Sequence, residues 1–434
     1  MTHPDRIRRL TCLAVLTCAW LAAAGVAAQN APGQDDAALD DRIDEIARHV
    51  DAARAEASVY APMFLDAVPL ARINALYADI RARGGDVVEV TATGRDSPWS
   101  GRFRFRYAKG FENDVTLTLD AARPHRVIGL WFGPLRPTVG SFDEIVRQLA
   151  DLPGRTNLMV AELRNGRPPR PIASHQPGRP LAIGSTFKLY VLAALLADDT
   201  PWDRVVYLRE DHRSLPSGVL QDWPVDAPMT VFSLAAAMIS ISDNTATDAL
   251  IDLVGRDRLA ELTPRLGNEH PELNTPFLST YELFKLRADP ALAERYARAN
   301  PAERLRLLDH EIAAMPRERV QPLMDRPRDI DRIEWFASAA DLTRLLAWLN
   351  DNADDTARGI LAINPGLTFA ERFAAVGYKG GSEAGVLNLT WLLTTESGRV
   401  YALTLGWNDP DRPLDDDRLI ELAEAAAGLI ADEP

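Results

Sequence analysis

The sequence predicts two domains: a small α+β domain, and a larger α/β domain in which helices flank an antiparallel sheet. The chain has 434 residues, enough for two hydrophobic cores. Between residues 41 and 138 the apolar pattern changes from helical spacing to strand-like alternation. Beyond residue 139, apolar strand-like runs enclose a long helical stretch. Strands distant in sequence should therefore lie side by side in one sheet.

Residues 1–28 have the pattern of a secretory signal peptide. Arginines precede the apolar run Leu10–Ala24, and the small residues Val26-Ala27-Ala28 follow it. This run is shorter than the roughly 20 apolar residues that span a bilayer. We therefore expect an exported protein, periplasmic or secreted, with no stable membrane insertion after signal removal, and a polar linker over residues 29–40.

Residues 41–138 predict the α+β domain. Two helices, Asp41–Ala57 and Pro69–Arg83, show apolar residues at helical spacing. Four alternating or β-branched segments then predict an antiparallel sheet. These segments are Val87–Thr93, Arg102–Tyr107, Val115–Leu119 and Val127–Phe132. No cluster of acids, bases or metal ligands stands out here.

Residues 139–434 predict the larger domain. Ser141-Phe-Asp-Glu144 is a capping box that opens a helix, and Asp415–Ile430 predicts a closing helix. The segment 289–333, rich in Arg, Glu and Leu, predicts an exposed helical insertion near the site entrance. The predicted strands are Leu158–Leu163, Pro171–Ser174, Val376–Lys379, Val386–Thr394 and Val400–Gly406.

A serine and a lysine stand three residues apart in the apolar segment Leu181–Leu196. Residues at this spacing share a helix face, so the hydroxyl of Ser185 and the amine of Lys188 can point into the same space. The chain has only four lysines against forty-four arginines. A lysine can lose its proton when it is desolvated or near another cation, whereas arginine cannot. The pair therefore indicates a base beside a nucleophile, although core spacing by coincidence is the alternative.

Two further motifs follow in the order expected for one family. Ser242-Asp243-Asn244 ends an apolar helical run, and Lys379-Gly380-Gly381-Ser382 follows an apolar strand-like segment. With Ser-x-x-Lys they form the signature of penicillin-recognising serine hydrolases. From about residue 141 to 432 the chain resembles class A β-lactamases, and the penicillin-binding proteins more distantly. It departs from the family at Gly380, where threonine or serine is usual.

Longer segments resemble a narrower group within that family. They are PSGVLQDW (216–223), NTPFLSTYELF (274–284) and YKGGSEAGVLN (378–388). They are similar to β-lactamase-like proteins of clavulanic-acid biosynthetic clusters, which join a steroid-isomerase-like N-terminal domain to a class A-like catalytic domain. The resemblance thus implies a steroid-isomerase-like fold for residues 41–138 and a β-lactamase/transpeptidase-like fold for residues 139–434.

The resemblance implies an acyl-enzyme on Ser185. A serine hydroxyl is a weak nucleophile unless a nearby base takes its proton, and Lys188 is the candidate for that base. Repulsion from Lys379 would lower the pKa of Lys188. Ser242 would relay a proton to the leaving nitrogen.

The same resemblance assigns the substrate-binding groups. Asn244 would hold a substrate amide, and Lys379 would attract a substrate carboxylate. Gly381 and Ser382, in the same motif as Lys379, would also contact the substrate. The backbone N–H groups of Ser185 and Ser382 would form the oxyanion hole, whose donors typically contribute about a hundredfold each to the rate.

The residue that activates water for deacylation is left open by the sequence. Class A enzymes carry Glu-x-Glu-Leu-Asn in this loop, but here the register places His270 where the first glutamate should stand. Asn274 remains to hold a water molecule. His270 could act as the base, since its ordinary pKa is near ~6.5, or a shifted loop could bring in Glu269. Otherwise the acyl-enzyme persists, or His270 is only a surface residue.

Composition excludes several other classes of function. The formal net charge of −14 disfavours nucleic-acid binding. Both cysteines, Cys12 and Cys18, lie in the signal segment, so we expect no thiol nucleophile or thiolate metal site. The histidines are scattered without His-x-His or His-Glu-x-x-His spacing, and no Gly-x-Ser-x-Gly elbow occurs. We expect no metal and no cofactor.

Three functions are compatible with a serine hydrolase that uses Ser185 and Lys188. The first is hydrolysis of β-lactams, and the second is D-alanyl peptidase or esterase activity. The third is slow or non-catalytic binding of β-lactams. A separate, non-enzymatic alternative is a binding module whose N-terminal domain is the working part, with a decayed hydrolase attached. In each case the expected partner is a small β-lactam, acyl or peptide molecule.

Overall fold

The computed structural model describes residues 36–320 and 326–433. The chain forms two compact units. Of the described residues, the first unit comprises 36–82, 89–105 and 114–132, and the second comprises 83–88, 106–113, 133–320 and 326–433. The expected signal peptide lies outside the described residues. Within the described ranges, every helix is too short or too polar to cross a membrane.

Three helices open the first unit: α1 (Asp36–Ala52), α2 (Pro62–Ala67) and α3 (Leu70–Gly84). Helix α1 starts inside the expected linker, five residues before the predicted start at Asp41. Its early start has a packing reason, because Leu39 is fully buried and extends the apolar stripe of α1 towards its N-terminus.

The first antiparallel sheet has the strand order β1-β2-β3-β4, with a short fifth strand paired to β3. Alternate aromatic residues of β2, Phe103 and Phe105, are almost completely buried, as the alternation predicts. The strands are longer than predicted at several ends because backbone pairing continues past the apolar pattern. They are β1 (Val87–Ser97), β2 (Ser100–Tyr107), β3 (Phe111–Leu119), β4 (Val127–Phe132) and β5 (Arg136–Pro137).

The second unit is built on an antiparallel sheet in the order β12-β13-β14-β6-β7. Leu405 of one strand lies opposite Leu158 of another, which confirms that strands from both ends of this region are neighbours. Short strands form the pairs β8–β11 and β9–β10. The strands are β6 (Arg155–Arg164), β7 (Arg167–His175), β8 (Leu181–Ala182), β9 (Val205–Tyr207), β10 (Pro228–Thr230), β11 (Phe336–Ala337), β12 (Ala375–Glu383), β13 (Val386–Thr394) and β14 (Val400–Asn408).

Helices cover both faces of this sheet. One apolar cluster joins α4 and α14 to one face, and a larger cluster joins the other face to the remaining helices, with α5 at its centre. The helices are α4 (Phe142–Ala150), α5 (Lys188–Ala197), α6 (Val231–Ser240), α7 (Asn244–Val254), α8 (Arg256–Arg265), α9 (Thr280–Ala288), α10 (Pro290–Arg298), α11 (Pro301–Leu307), α12 (Ala339–Asn352), α13 (Asp355–Ala362) and α14 (Asp416–Ala431).

Among its described residues the segment 289–333 forms helices α10 and α11, and it is not simply exposed. Leu292 and Tyr296 of α10, and Ile312 of the turn that follows α11, are buried in the larger apolar cluster. The guanidinium of Arg317 donates to the carbonyls of Arg213 and Ser214 at 2.8 and 2.9 Å. The insertion therefore supports the helical core and holds the loop before residue 215. In α10 the apolar residues lie on the buried face of the helix, and Arg295 and Arg298 lie on the exposed face.

Asn408 fixes β8 to the end of the large sheet. Its side chain accepts from the amide of Ala182 at 2.8 Å and donates to the carbonyl of the same residue at 3.0 Å. Because Asn408→Ala would leave both buried backbone groups unpaired, we expect the free energy of unfolding to fall by about 2–4 kcal/mol. Denaturant unfolding measures this change. Asn352→Ala, at an exposed helix end, should change it by less than about 1 kcal/mol, and equal losses would contradict the argument.

Candidate active site

A tight turn presents Ser185 at the start of α5. The strand pair β8–β11 leads into it, and the amide of Ile183 donates to the carbonyl of Trp335 at 3.0 Å. Gly184 has a φ of +48°, a conformation that glycine adopts without strain. Residues 184–187 then form one 3₁₀ turn, and the amide of Lys188, the first residue of α5, donates to the carbonyl of Ser185. Serine and lysine are thus joined by a single helical turn.

Strand β12 passes directly against this turn. A Cβ atom on Gly381 would lie 2.0 Å from the carbonyl oxygen of Ile183 and 2.5 Å from the amide nitrogen of Ser185. A Cβ atom on Gly184 would lie 3.2 Å from the amide nitrogen of Ser382. The two backbones can approach this closely because neither Gly184 nor Gly381 has a Cβ atom. The amides of Ser185 and Ser382 consequently belong to the same small region.

Lys188 is completely buried, and its amine is the centre of the site. The Nζ atom lies 2.7 Å from the Ser242 carbonyl oxygen, 3.0 Å from the Ser242 hydroxyl and 2.7 Å from the Asn244 side-chain oxygen. Asn244 is held in turn by donating its amide to the carbonyl of Leu215 at 2.9 Å. The first and second motifs therefore meet through direct hydrogen bonds.

Lys379 brings the third motif into the same network. It lies in the middle of β12 rather than at the strand end that the sequence predicts, because pairing with β13 continues to Glu383. Its Nζ atom lies 3.1 Å from the Ser242 hydroxyl and 2.5 Å from the carbonyl of Gly380. The Ser242 hydroxyl therefore bridges two lysine amines.

Ser242 adopts a backbone conformation that is unusual for serine. Its φ is +58°, which costs about 1–3 kcal/mol and persists only where the surroundings enforce it. Here the Ser242 carbonyl accepts from the Lys188 amine and, at 2.6 Å, from the hydroxyl of Ser217. This conformation is the one that places the side chain of Ser242 between Lys188 and Lys379.

Asp243, the middle residue of its motif, holds the loop beside the site. The carboxylate is fully buried and accepts from the amides of Val219, Leu220 and Ala246 at 2.7, 2.9 and 2.8 Å. Hydrogen bonds of this kind satisfy a buried charge and cap the start of α7. Asp243 therefore fixes the geometry of its two neighbours in the motif.

Burial changes the protonation of both lysines. Desolvation lowers the pKa of Lys188 well below its ordinary value, and the charge of Lys379 lowers it further. Burial also lowers the pKa of Lys379 to about 7. Both causes favour the uncharged form of the Lys188 amine, which makes it a better proton acceptor than an ordinary lysine, while Lys379 is partly charged near neutral pH.

Comparison with known proteins identifies the larger unit. Residues 141–426, more than half of the chain, match the model of the Beta-lactamase enzyme family. This chain belongs to that family. Its membership accounts for the β-lactamase/transpeptidase-like fold and indicates a serine hydrolase. The match begins after the first unit, and a comparison with curated proteins finds no match.

Several solved structures are similar to this β-lactamase-family chain. The solved structure of PBP-A is 16% identical in sequence. The match covers 67% of this chain and 96% of that one, with a TM-score of 0.46. A beta-lactamase from Desulfarculus baarsii is 21% identical in sequence. The match covers 68% of this chain and 99% of that one, with a TM-score of 0.47. A beta-lactamase from Francisella tularensis is 16% identical in sequence. The match covers 67% of this chain and 98% of that one, with a TM-score of 0.46.

The residues considered for deacylation have partners elsewhere in the fold. Asn274 exchanges hydrogen bonds with the backbone of Phe336, at 2.8 and 2.9 Å, and so anchors β11. Glu269 pairs with Arg344 at 3.2 Å, and the half-exposed His270 ring lies 3.3 Å from Glu272. None of these three side chains is hydrogen-bonded to the Lys188 network in the part of the chain that the structure describes.

A buried charged cluster at the end of β12 was not singled out by the sequence. Arg287 contacts Glu383, next to Ser382, and its guanidinium also lies 3.6 Å from Glu334. Burial and the neighbouring charge of Glu383 raise the pKa of Glu334 well above its ordinary value. The three groups tie the end of β12 to α9 and to the segment before β11. Their wide separation in sequence leaves no periodic signal that could have revealed them.

Proposed function

We propose that this protein is a serine hydrolase that forms an acyl-enzyme on Ser185 and hydrolyses β-lactams. The observation that carries the proposal is the network of Lys188, Ser242 and Lys379 beside the turn that presents Ser185. Two of the four lysines in the chain lie within hydrogen-bond distance of one hydroxyl. Burying two amines side by side costs free energy, because both lose their hydration, and a chemical role for the site accounts for that cost.

The hydrogen bonds of Lys188 suit a general base. A neutral amine has two N–H groups and one lone pair, and two oxygen acceptors, on Ser242 and Asn244, lie at 2.7 Å. The lone pair is then left for a hydroxyl. In the acylation step the Ser185 oxygen bonds to the lactam carbonyl carbon and its proton passes to Lys188. As the carbon–nitrogen bond breaks, Ser242 delivers that proton to the leaving nitrogen.

The backbone supplies stabilisation for the oxyanion. The amides of Ser185 and Ser382 converge where β12 approaches the turn, and neither nitrogen belongs to a side chain that can move away. Fixed donors in a buried site favour the negative charge that develops on the carbonyl oxygen. Lys379, beside them, would attract a substrate carboxylate.

Acyl-enzyme hydrolysis is proposed to be slower than acylation. Among the described residues, the hydrogen bonds of Lys188 reach Ser242 and Asn244 but no carboxylate. Activation of water would then rely on Lys188 itself or on a group that moves. We expect a rapid burst of product equal to the enzyme concentration, followed by slower turnover. A linear time course without a burst would contradict slow deacylation.

Intact-mass measurement tests the proposal. Mature protein incubated with benzylpenicillin should gain the mass of one penicilloyl group, and Ser185→Ala should not. Ser382→Ala is the matched serine control, because it retains the backbone amide and should still be acylated. An equal adduct on Ser185→Ala, or no adduct on the native protein, would overturn the proposed site.

The alternative activities are separated by substrate. A coloured cephalosporin reports β-lactam hydrolysis, and a D-alanyl-D-alanine peptide or a simple ester reports peptidase or esterase activity. Turnover of the cephalosporin alone supports the β-lactamase assignment. Adduct formation without turnover of any of them supports a slow β-lactam-binding protein.

The pKa of Lys379 predicts a specific pH dependence. Above about pH 7 this lysine loses its charge, so the rate constant for acylation by an anionic substrate should fall. An uncharged penicillin ester should lack the falling limb, because it has no carboxylate to attract. Lys379→Arg stays charged and should remove that limb for the anionic substrate. Identical pH profiles for acid and ester in the native protein would contradict the assignment.

Three further expectations belong to the proposal. The first unit, helices followed by an antiparallel sheet, supports a steroid-isomerase-like domain. The second expectation is that the chain belongs with the β-lactamase-like proteins of clavulanic-acid clusters. The pattern of residues 1–28 supports export to the periplasm or beyond. N-terminal sequencing of the protein purified from its host would test the last of these.

A further inference from the structure

Glycine at position 380 leaves a space that another residue of the same strand fills. A Cβ atom on Gly380 would lie 2.1 Å from the hydroxyl oxygen of Tyr378. Residues two apart project from the same face of a strand, so the phenol of Tyr378 lies along that face towards Gly380. The hydroxyl therefore occupies the place where the side chain of residue 380 would begin.

The ring of Tyr378 is fixed on both sides. It stacks on Trp391 with ring centroids 4.9 Å apart, and the indole nitrogen of Trp391 donates to the carbonyl of Pro365 at 3.0 Å. On the other side lies Gly366, whose φ is +60° and whose added Cβ would lie 2.5 Å from the ring. A ring held in this way offers its hydroxyl at a defined position without further loss of side-chain entropy.

The hydroxyl is a free donor beside a cation. It has no hydrogen-bond partner among the described residues, and burial raises the pKa of Tyr378 to about 12, so it keeps its proton. Residues 378 and 379 project from opposite faces of β12, but the amine of Lys379 is hydrogen-bonded to the carbonyl of Gly380 and the phenol reaches the same residue from the other face. Strand β12 lies at an edge of its sheet, so a carboxylate drawn to Lys379 and lying along that edge at Gly380 would be placed to accept from both groups.

We propose that Tyr378 is a substrate-positioning residue whose hydroxyl, together with Lys379, binds the carboxylate of the substrate. The inference rests on the proposed function for the nature of that substrate. It explains why this strand carries glycine at position 380: any larger residue would collide with the phenol oxygen. In this chain the hydroxyl at position 380 is supplied by Tyr378, two residues earlier in the strand.

Binding without reaction tests the inference. In a Ser185→Ala background, calorimetry would give dissociation constants for benzylpenicillin and its methyl ester. Tyr378→Phe should weaken binding of the acid by about tenfold or more and leave the ester within about twofold, as expected for one hydrogen bond to a charged group. Tyr401→Phe is the matched control, since its buried hydroxyl in the same sheet also has no hydrogen-bond partner in the part of the chain that the structure describes. It should change neither constant.

A rescue experiment separates the hydroxyl from the packing of the ring. Tyr378→Leu should weaken binding of the acid, and Tyr378→Leu with Gly380→Ser should restore most of it by returning a hydroxyl to the same place. Equal losses for acid and ester, an unchanged acid constant in Tyr378→Phe, or no measurable binding of the acid would overturn the inference. A missing adduct on the native protein would overturn the proposed function instead.

Discussion

Replacing Lys188 by methionine should reduce the rate of Ser185 acylation by about a thousandfold. General-base catalysis of this kind typically contributes ~10²–10⁴-fold. Methionine is similar in length and can occupy the buried space, but it cannot accept a proton or donate to the oxygens of Ser242 and Asn244. Lys188→Arg should be as slow, because arginine keeps its charge at any accessible pH. Quenched-flow sampling with intact-mass detection measures the rate.

Lys285 provides a matched control for the lysine substitution. It is also largely buried, burial lowers its pKa, and its amine donates to the carbonyl of Ala313 at 3.3 Å. Lys285→Met should acylate within about twofold of the native rate, although its thermal stability changes. If Lys188→Met keeps more than a tenth of the native rate, another group takes the proton and the proposed mechanism is wrong.

Much of the fold could be read from the sequence because local patterns set it. Strand β13, Val386–Thr394, has its predicted bounds, since it is a run of apolar and β-branched residues, broken only by Asn388, that is buried on both faces. The sequence predicted one sheet with neighbours distant in sequence, and the pairing of β14 with β6 is such a case, although the choice of partner was not predicted. Where the apolar pattern stops before the hydrogen bonds do, as at the end of β12, the prediction was too short.

The site was predictable only as far as its motifs extend. Ser242 and Lys379 were expected near Lys188, and the structure brings the three side chains together. Asn274 shows what a motif leaves out, because the water-holding role that its motif predicts gives no hint that its side chain also pairs with the backbone of Phe336. An amide side chain satisfies whichever partners tertiary packing brings, and sequence spacing does not reveal that choice.

Long-range pairs of charges were beyond sequence reasoning for a different reason. Arg287 and Glu383 are separated by almost a hundred positions, and each lies in a segment whose apolar period predicts only its own helix or strand. The contact of Tyr378 with position 380 is hidden in the same way, because strand periodicity gives the shared face but not the reach of a phenol. Coordinates are required for both.

Gly381→Ala should lower the rate of Ser185 acylation by about a hundred- to a thousandfold. The added methyl group would meet the carbonyl of Ile183 at 2.0 Å and the amide of Ser185 at 2.5 Å, and both are backbone atoms that cannot rotate away. Strand β12 must therefore move back from the turn, which separates the amides of Ser185 and Ser382. Loss of one such donor typically costs ~10²–10³-fold.

A second glycine controls for the general effect of a methyl group. Gly359 lies in α13, and an added Cβ would meet nothing within 4 Å, so Gly359→Ala should keep the native acylation rate and gain about 0.5–1 kcal/mol of stability. Thermal melts of both variants check that each is folded. The decisive comparison is between a folded Gly381→Ala and the native protein: if both are acylated by benzylpenicillin at the same rate, close approach of β12 is not required for the chemistry at Ser185.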